Sequence, residues 1–223
     1  MSTWFEELVP CPACGREVRA KLAYGAHVAR APEVRAQVLE RSFHRATCAC
    51  GEVFRARRGV VYTDVDRRQW IQVSLEEERP IWPELEVATG ALFERAFTGA
   101  PAAAELAEGM RVRLVFGYEE LREKLVVWAA ALDDAVVECL KLRAIERDPS
   151  LAATPLVVER VTGGALVFEP AGREPFTIPA AAVDAAHADM RLPPRFPELF
   201  GGRYVALHRL LGPRYRPAPD PPR

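Results

Sequence analysis

The sequence predicts an α+β fold in three parts: an N-terminal β unit with an inserted helix, a helical middle region and a small C-terminal β-rich part. Three observations carry this reading. Two short cysteine pairs, Cys11 with Cys14 and Cys48 with Cys50, each run into a glycine and bracket a helix-like stretch. Apolar residues from Leu121 to Cys139 recur at steps of three and four, the period of a helix face. From Pro155 onward, short apolar runs are punctuated by glycine and proline, as strands and turns are. A chain of 223 residues is longer than the commonest single domain and shorter than two average ones. The expected divisions are 1–80 for the cysteine-bearing unit, 81–150 for the helical region, 151–212 for the β-rich part and 213–223 for a disordered proline-rich tail.

Along the chain, "GREVRAKLAYGAHV" alternates loosely as a strand does, and "APEVRAQVLERSF" places Val34, Val38 and Leu39 at helical spacing behind Pro32. Beyond the second cysteine pair, "EVFRARRGVVYTD" and "RQWIQVSL" read as two β runs joined at Asp64-Val65-Asp66. Short helices follow in "ALFERAFTG" and "PAAAELAEG", then a short strand in "MRVRLVFG". The segment from Tyr118 to about Arg147 is the clearest helix. Gly117 stands at its N-cap, Glu120 at the third helical position, and Phe116 is placed to staple to Leu121. Leu121, Leu125, Trp128, Leu132, Val136 and Cys139 form one stripe, and Asp133-Asp134 offer a point where a second helix restarts. "PLVVERV", "GALVFEP" and "FTIP" read as strands, "AAAVDAAHADM" as a helix and "RYVALHRLL" as a final strand.

The cysteines set the chemistry. Structural zinc takes four soft or borderline ligands in a closed tetrahedron, commonly from two short cysteine pairs on separate loops. Cys11, Cys14, Cys48 and Cys50 supply that set, with Gly15 and Gly51 placed where such turns need a positive φ. The N-terminal unit is therefore expected to be zinc-ribbon-like, with Zn²⁺ as a structural cofactor. Cys48-Ala49-Cys50 is one residue shorter than Cys11-Pro12-Ala13-Cys14, so His44, four residues before Cys48, is an alternative fourth ligand. Four thiolates on Zn²⁺ carry a net charge of about -2, which Arg16, Arg45, Arg55, Arg57 and Arg58 are close enough in sequence to offset. A thiol redox pair would need Cys11 at a helix N-terminus after a strand. The fifth cysteine, Cys139, falls on the apolar stripe and reads as a small buried hydrophobe.

With those residues in view, the chain resembles the CpXC family, bacterial and archaeal proteins named for paired Cys-Pro-x-Cys motifs. The resemblance rests on "CPACG", "CACG", "VVYTDVDRRQWI" and "RVRLVFGYEELREKLVVWAAALDDAVVECLKL". It departs at Cys48-Ala49-Cys50, which lacks the proline and one spacer residue. It implies zinc and a fold rather than a reaction.

Elsewhere the residues read as structure. Asp133 and Asp134 are adjacent on a helix, about 100° apart, and so fit a cap or a solvated pair better than an acid and base facing one substrate. Glu119, Glu120, Arg122, Glu123 and Lys124 read as a solvated helix face, and Glu138 with Lys141 as a surface pair. His27, His187 and His208 are scattered. No phosphate loop, nucleophile elbow or HExxH helix is present. The formal charge of -1 supplies no global field for nucleic acid or an anionic membrane. No run approaches the ~20 apolar residues of a membrane span, and the N-terminus lacks the basic and apolar regions of a secretory signal. The expectation is a cytoplasmic, non-catalytic zinc-binding protein acting as an interaction or adaptor module with protein partners. The alternative is a nucleic-acid-binding ribbon using Arg55, Arg57 and Arg58 beside Phe54 and Tyr62.

Overall fold

The structure, a computed structural model, describes residues 3–99, 101–153 and 155–212. The chain divides into two compact units, one running to Tyr118 and the other starting at Glu119. The proline-rich tail, expected to be disordered, lies outside the described residues.

The first unit contains, in order, β1 (Thr3–Pro10), β2 (Glu17–His27), α1 (Glu33–Leu39), β3 (Arg45–Thr47), β4 (Val53–Arg55), β5 (Val60–Asp64), β6 (Gln69–Ser74), α2 (Trp82–Phe97), α3 (Pro101–Ala107) and β7 (Arg111–Phe116). Five strands form one sheet in the order β1-β2-β5-β6-β7, and β3 with β4 form a separate hairpin. The pairs β1/β2 and β5/β6 are antiparallel, whereas β2/β5 and β6/β7 are parallel. Parallel neighbours need a crossover, because a tight turn cannot reverse the chain twice. Helix α1 and the β3–β4 hairpin form the first crossover, and α2 with α3 the second. Strands β5 and β6 are buried along almost their whole length, on both faces, as their Val, Tyr, Trp and Ile content requires. Strand β1 is an edge and mostly exposed, with Glu6 and Glu7 on it.

Two expectations change here. The run "EVFRARRGVVYTD" splits into β4 and β5, which belong to different sheets. Helix α2 starts at Trp82, well before the expected "ALFERAFTG". Strand β7 pairs with β6 and so places the α2–α3 crossover in the first unit.

The second unit begins within α4 (Gly117–Ala129) and continues with α5 (Asp134–Arg147), β8 (Val158–Thr162), β9 (Ala165–Phe168), β10 (Phe176–Ile178), α6 (Ala180–His187), α7 (Leu192–Arg195), α8 (Pro197–Gly201) and α9 (His208–Leu211). Its three strands form an antiparallel sheet in the order β10-β9-β8. Leu121, Leu125, Trp128, Val136 and Cys139 are buried, as the stripe predicts. The restart at Asp133 is a cap: its Oδ1 accepts the Ala135 N–H at 2.8 Å.

Three expectations fail in this unit. "RYVALHRLL" is not a strand; residues 202–207 are irregular and His208–Leu211 makes one helical turn. The charged face of α4 is not solvated, since Glu119, Arg122, Glu123 and Lys124 are all buried. Asp134, Glu138 and Lys141 are buried too. The i,i+3 pair of Glu138 and Lys141 exists at 2.7 Å, but inside the unit rather than on its surface. Partners distant in sequence make this possible. Val158 N–H donates to Glu123 Oε1 (2.6 Å), Lys124 pairs with Asp134 (2.9 Å) and Arg122 pairs with Glu159 (2.9 Å). Charges can be buried only when paired and hydrogen-bonded in this way.

Candidate metal centre

Each cysteine pair sits in the turn of an antiparallel hairpin. Cys11 and Cys14 lie between β1 and β2, and Cys48 and Cys50 between β3 and β4. In the first turn Cys11 N–H donates to Arg16 O and Gly15 N–H to Cys11 O, both at 2.8 Å. In the second, Cys48 N–H donates to Glu52 O at 2.8 Å and Gly51 N–H to Cys48 O at 2.9 Å. The bonding is the same with every span one residue shorter, so the missing spacer in Cys-Ala-Cys shortens the turn without abolishing it. Gly15 and Gly51 take φ +72° and +93°, conformations that a side chain disfavours.

The two turns bring four sulfurs together. Cys11 Sγ lies 3.7 Å from Cys50 Sγ and Cys14 Sγ 3.6 Å from Cys48 Sγ, and all four lie within 4.8 Å of one another. A disulfide needs about 2.05 Å, so these are free thiols. A tetrahedron of thiolates at about 2.3 Å from a central ion has edges of about 3.8 Å, close to the two shortest separations. These four residues could therefore hold a metal ion. Cys11 and Cys48 are buried in a small apolar cluster with Ala20, Leu22, Ala46 and Phe54, while Cys14 and Cys50 are exposed.

The thiols compete for charge. Burial raises the Cys11 thiol, but the backbone groups of Cys14 and Ala13, with the Cys48 and Cys14 thiols, hold it at about 7. Cys48 receives a lowering contact from the Cys50 backbone, yet burial and its three sulfur neighbours push it up to about 12. A divalent cation at the centre removes this competition and favours all four thiolates.

His44 is not the fourth ligand. Its Nε2 accepts the Ala23 N–H at 2.8 Å. Its Nδ1 lies 2.7 Å from Tyr118 Oη, and that hydroxyl donates to Arg58 O at 2.8 Å. Both ring nitrogens are thus engaged, and the arrangement fixes a neutral imidazole with its proton on Nδ1. Burial, with Arg55 nearby, lowers its pKa to about 4. Phe43 stacks on the ring at 3.9 Å between centroids. His44, just before β3, thereby joins β2, the segment that leads into β5 and the start of α4. Neither partner is near it in sequence, so spacing could not reveal this role.

The redox reading loses its support. No helix starts at Cys11 or Cys14, whose stretch is a turn. Arg55 donates to Arg41 O at 2.9 Å, Arg57 pairs with Glu77, and Arg58 pairs with Glu7 at 3.0 Å while lying 3.8 Å above the Tyr24 ring. These three arginines have protein partners. Cys139 is buried on α5, and burial pushes its thiol up to about 11, consistent with an inert packing role.

The family model described as CpXC protein matches residues 9–141. The chain belongs to the CpXC family. The matched stretch opens just before the first cysteine turn, contains both turns, and ends within α5. No curated protein matches the chain, and no solved structure does. Among the described residues, no helix is long and apolar enough to cross a membrane.

Proposed function

We propose that the protein is a non-catalytic zinc-binding protein in which zinc staples two hairpins of an interaction or adaptor module. The observation that carries this is the closed four-sulfur cluster, with edges of 3.6 and 3.7 Å between two turns of matching hydrogen bonding. Tetrahedral all-thiolate sites suit zinc or iron, and zinc is the usual ion of structural ones. With every position taken by the protein, no coordination site is left for a water or a substrate. Zinc bound in this way contributes directly to folding, since the site does not exist in the unfolded chain. The nucleic-acid alternative is disfavoured by the arginines, because all three of Arg55, Arg57 and Arg58 already have protein partners.

The test is chelation followed by hydrogen exchange. Removing the metal is expected to deprotect the β1–β2 and β3–β4 amides while β8–β10 keep theirs. Unchanged protection around Cys11 and Cys48 in metal-free protein would show that zinc is not the staple. Salt-sensitive RNA or DNA binding lost on joint Arg55, Arg57 and Arg58 to Ala substitution would favour the alternative.

A further inference from the structure

The four cysteines differ in how they meet solvent. Cys14 and Cys50 are exposed, whereas Cys11 and Cys48 are only 2% and 4% exposed. Each exposed cysteine has a buried one of the other hairpin beside it. Cys50 Sγ lies 3.7 Å from Cys11 Sγ, and Cys14 Sγ lies 3.6 Å from Cys48 Sγ. A small oxidant arriving from solvent therefore meets one cysteine of each pair first, with the second standing behind it. To bond, each pair has only to close from that separation to the ~2.05 Å of a disulfide. An accessible thiolate poised next to a resolving cysteine is the arrangement that redox-responsive sites share.

Which cysteines join decides what oxidation does to the fold. A bond across the hairpins spans 39 residues for Cys11 with Cys50 and 34 for Cys14 with Cys48. Closing loops of that length restricts the unfolded chain strongly. A bond within a turn closes almost no loop and leaves the hairpins unconnected. It would also have to form inside turns whose main chain is already fixed by the Gly15 N–H bond to Cys11 O and the Gly51 N–H bond to Cys48 O. The buried sulfurs share one apolar cluster with Leu22 of β2, Ala46 of β3 and Phe54 of β4. That contact joins the two hairpins without any metal, so it keeps Cys11 facing Cys50 and Cys14 facing Cys48 while a metal leaves.

We infer that the four-cysteine cluster is a peroxide-responsive switch, in which oxidation joins Cys11 to Cys50 and Cys14 to Cys48 and expels the metal while the two hairpins stay together. Peroxide transfers one oxygen to the Cys50 thiolate, giving a sulfenic acid, and departs as hydroxide, which takes a proton. The Cys11 thiolate then attacks the Cys50 sulfur; the S–S bond forms, the S–O bond breaks, and the oxygen leaves as water with a second proton. Cys14 and Cys48 repeat both steps. Four thiolates, two peroxides and four protons thus give two disulfides and four waters, each peroxide accepting two electrons. The first disulfide removes two of the metal's four ligands and the second removes the rest. This rests on the zinc reading and adds its regulation: metal release is separated from unfolding, because the disulfides take over the staple. It differs from a Cys-x-x-Cys redox pair in that each bond joins two different turns.

The test uses the full chain as purified, treated with hydrogen peroxide beside a chromogenic zinc indicator, then digested with trypsin with free thiols blocked and no reductant. Trypsin cuts after Arg16, Arg45 and Arg55, so Cys11 and Cys14 leave in residues 1–16 and Cys48 and Cys50 in residues 46–55. The two peptides are expected to appear as one linked species that grows in step with zinc release, and fragmentation is expected to assign Cys11 to Cys50 and Cys14 to Cys48. In Cys14→Ser the two peptides should still be linked, through Cys11 and Cys50; if that variant does not fold, the wild-type map decides. In the oxidised protein the β1–β2 and β3–β4 amides should exchange within about tenfold of their rate in the zinc-loaded protein. Two separate peptides each bonded internally, Cys11 linked to Cys48, sulfinic acid on Cys14 or Cys50 without a disulfide, or zinc retained after the disulfides form would each overturn the inference. A protein that holds no zinc as purified would instead sink the zinc reading, and its peptide map would still decide the pairing.

Discussion

Lys141 is the most demanding test of how charge is buried in the second unit. The residue is 2% exposed, and its ammonium lies 2.7 Å from both Glu123 and Glu138. Lys141→Met keeps the apolar stem and removes the charge, leaving two carboxylates facing each other without their shared cation. Breaking a buried pair from one side costs about 3–5 kcal/mol, a large share of the roughly 5–15 kcal/mol that holds a domain folded. The two carboxylates keep their bonds from Val158 N–H and Leu207 N–H, which favour the ionised form and so keep the repulsion in place. Burial, opposed only in part by Lys141, already raises the Glu123 carboxyl above its usual range. In the variant the Glu123 carboxyl should be raised further. An acid whose folded pKa is raised stabilises the fold below its unfolded value, about 4.3, and loses that contribution as pH rises. The deficit of Lys141→Met against wild type should therefore be small near pH 4.5 and largest at pH 8. Comparing the two proteins at each pH cancels the acid sensitivity of the four-cysteine cluster. Hydrogen exchange of the α5 amides reads the effect locally, without assuming that both units unfold together. A deficit below about 1 kcal/mol at pH 8, or one that does not grow with pH, refutes the reasoning.

Two further predictions concern the first unit. The His44 ring should be neutral with its proton on Nδ1 throughout the neutral range, and nitrogen NMR should find it titrating near 4. The unfolded chain binds that proton from about pH 6.5 downward, so stability should fall between 6.5 and 4 by roughly 3 kcal/mol; a titration midpoint near 6.5 would contradict the hydrogen-bond chain. Gly117→Ala should be destabilising, because a Cβ there would stand 2.5 Å from Glu76 Oε1 and the residue has φ +80°. The backbone term alone is about 1–2 kcal/mol, and urea denaturation showing no loss would mean that Glu76 moves freely and the helix start relaxes.

The parts of this molecule that were legible in the sequence are those decided by near neighbours. Cys11 and Cys14 are three positions apart, Gly15 follows at once, and the Asp133 cap acts on Ala135, so spacing carries the information. The parts that were not legible depend on remote partners. Glu123, Lys124, Glu138 and Lys141 look like solvent-facing residues because their charges are visible and Val158, Val205 and Leu207 are not. "RYVALHRLL" looks like a strand because its residues are apolar and β-prone, yet Lys124 and Glu138 satisfy the main chain that a sheet would otherwise have to satisfy. His44 looked like a spare ligand for the same reason, since Ala23 and Tyr118 are 21 and 74 residues away. Strand β1 was missed because an exposed edge strand need not alternate, and "TWFEELVP" does not.

The central claim is that Cys11, Cys14, Cys48 and Cys50 close on one zinc ion. Elemental analysis of the purified protein, paired with cobalt substitution, tests it most directly. The account predicts one zinc per chain, an intense tetrahedral tetrathiolate spectrum when cobalt replaces it, and loss of both in Cys48→Ser and in Cys50→Ser. A metal-free protein with Cys11 oxidised to Cys14, or a cobalt spectrum unchanged by Cys50→Ser, would contradict it.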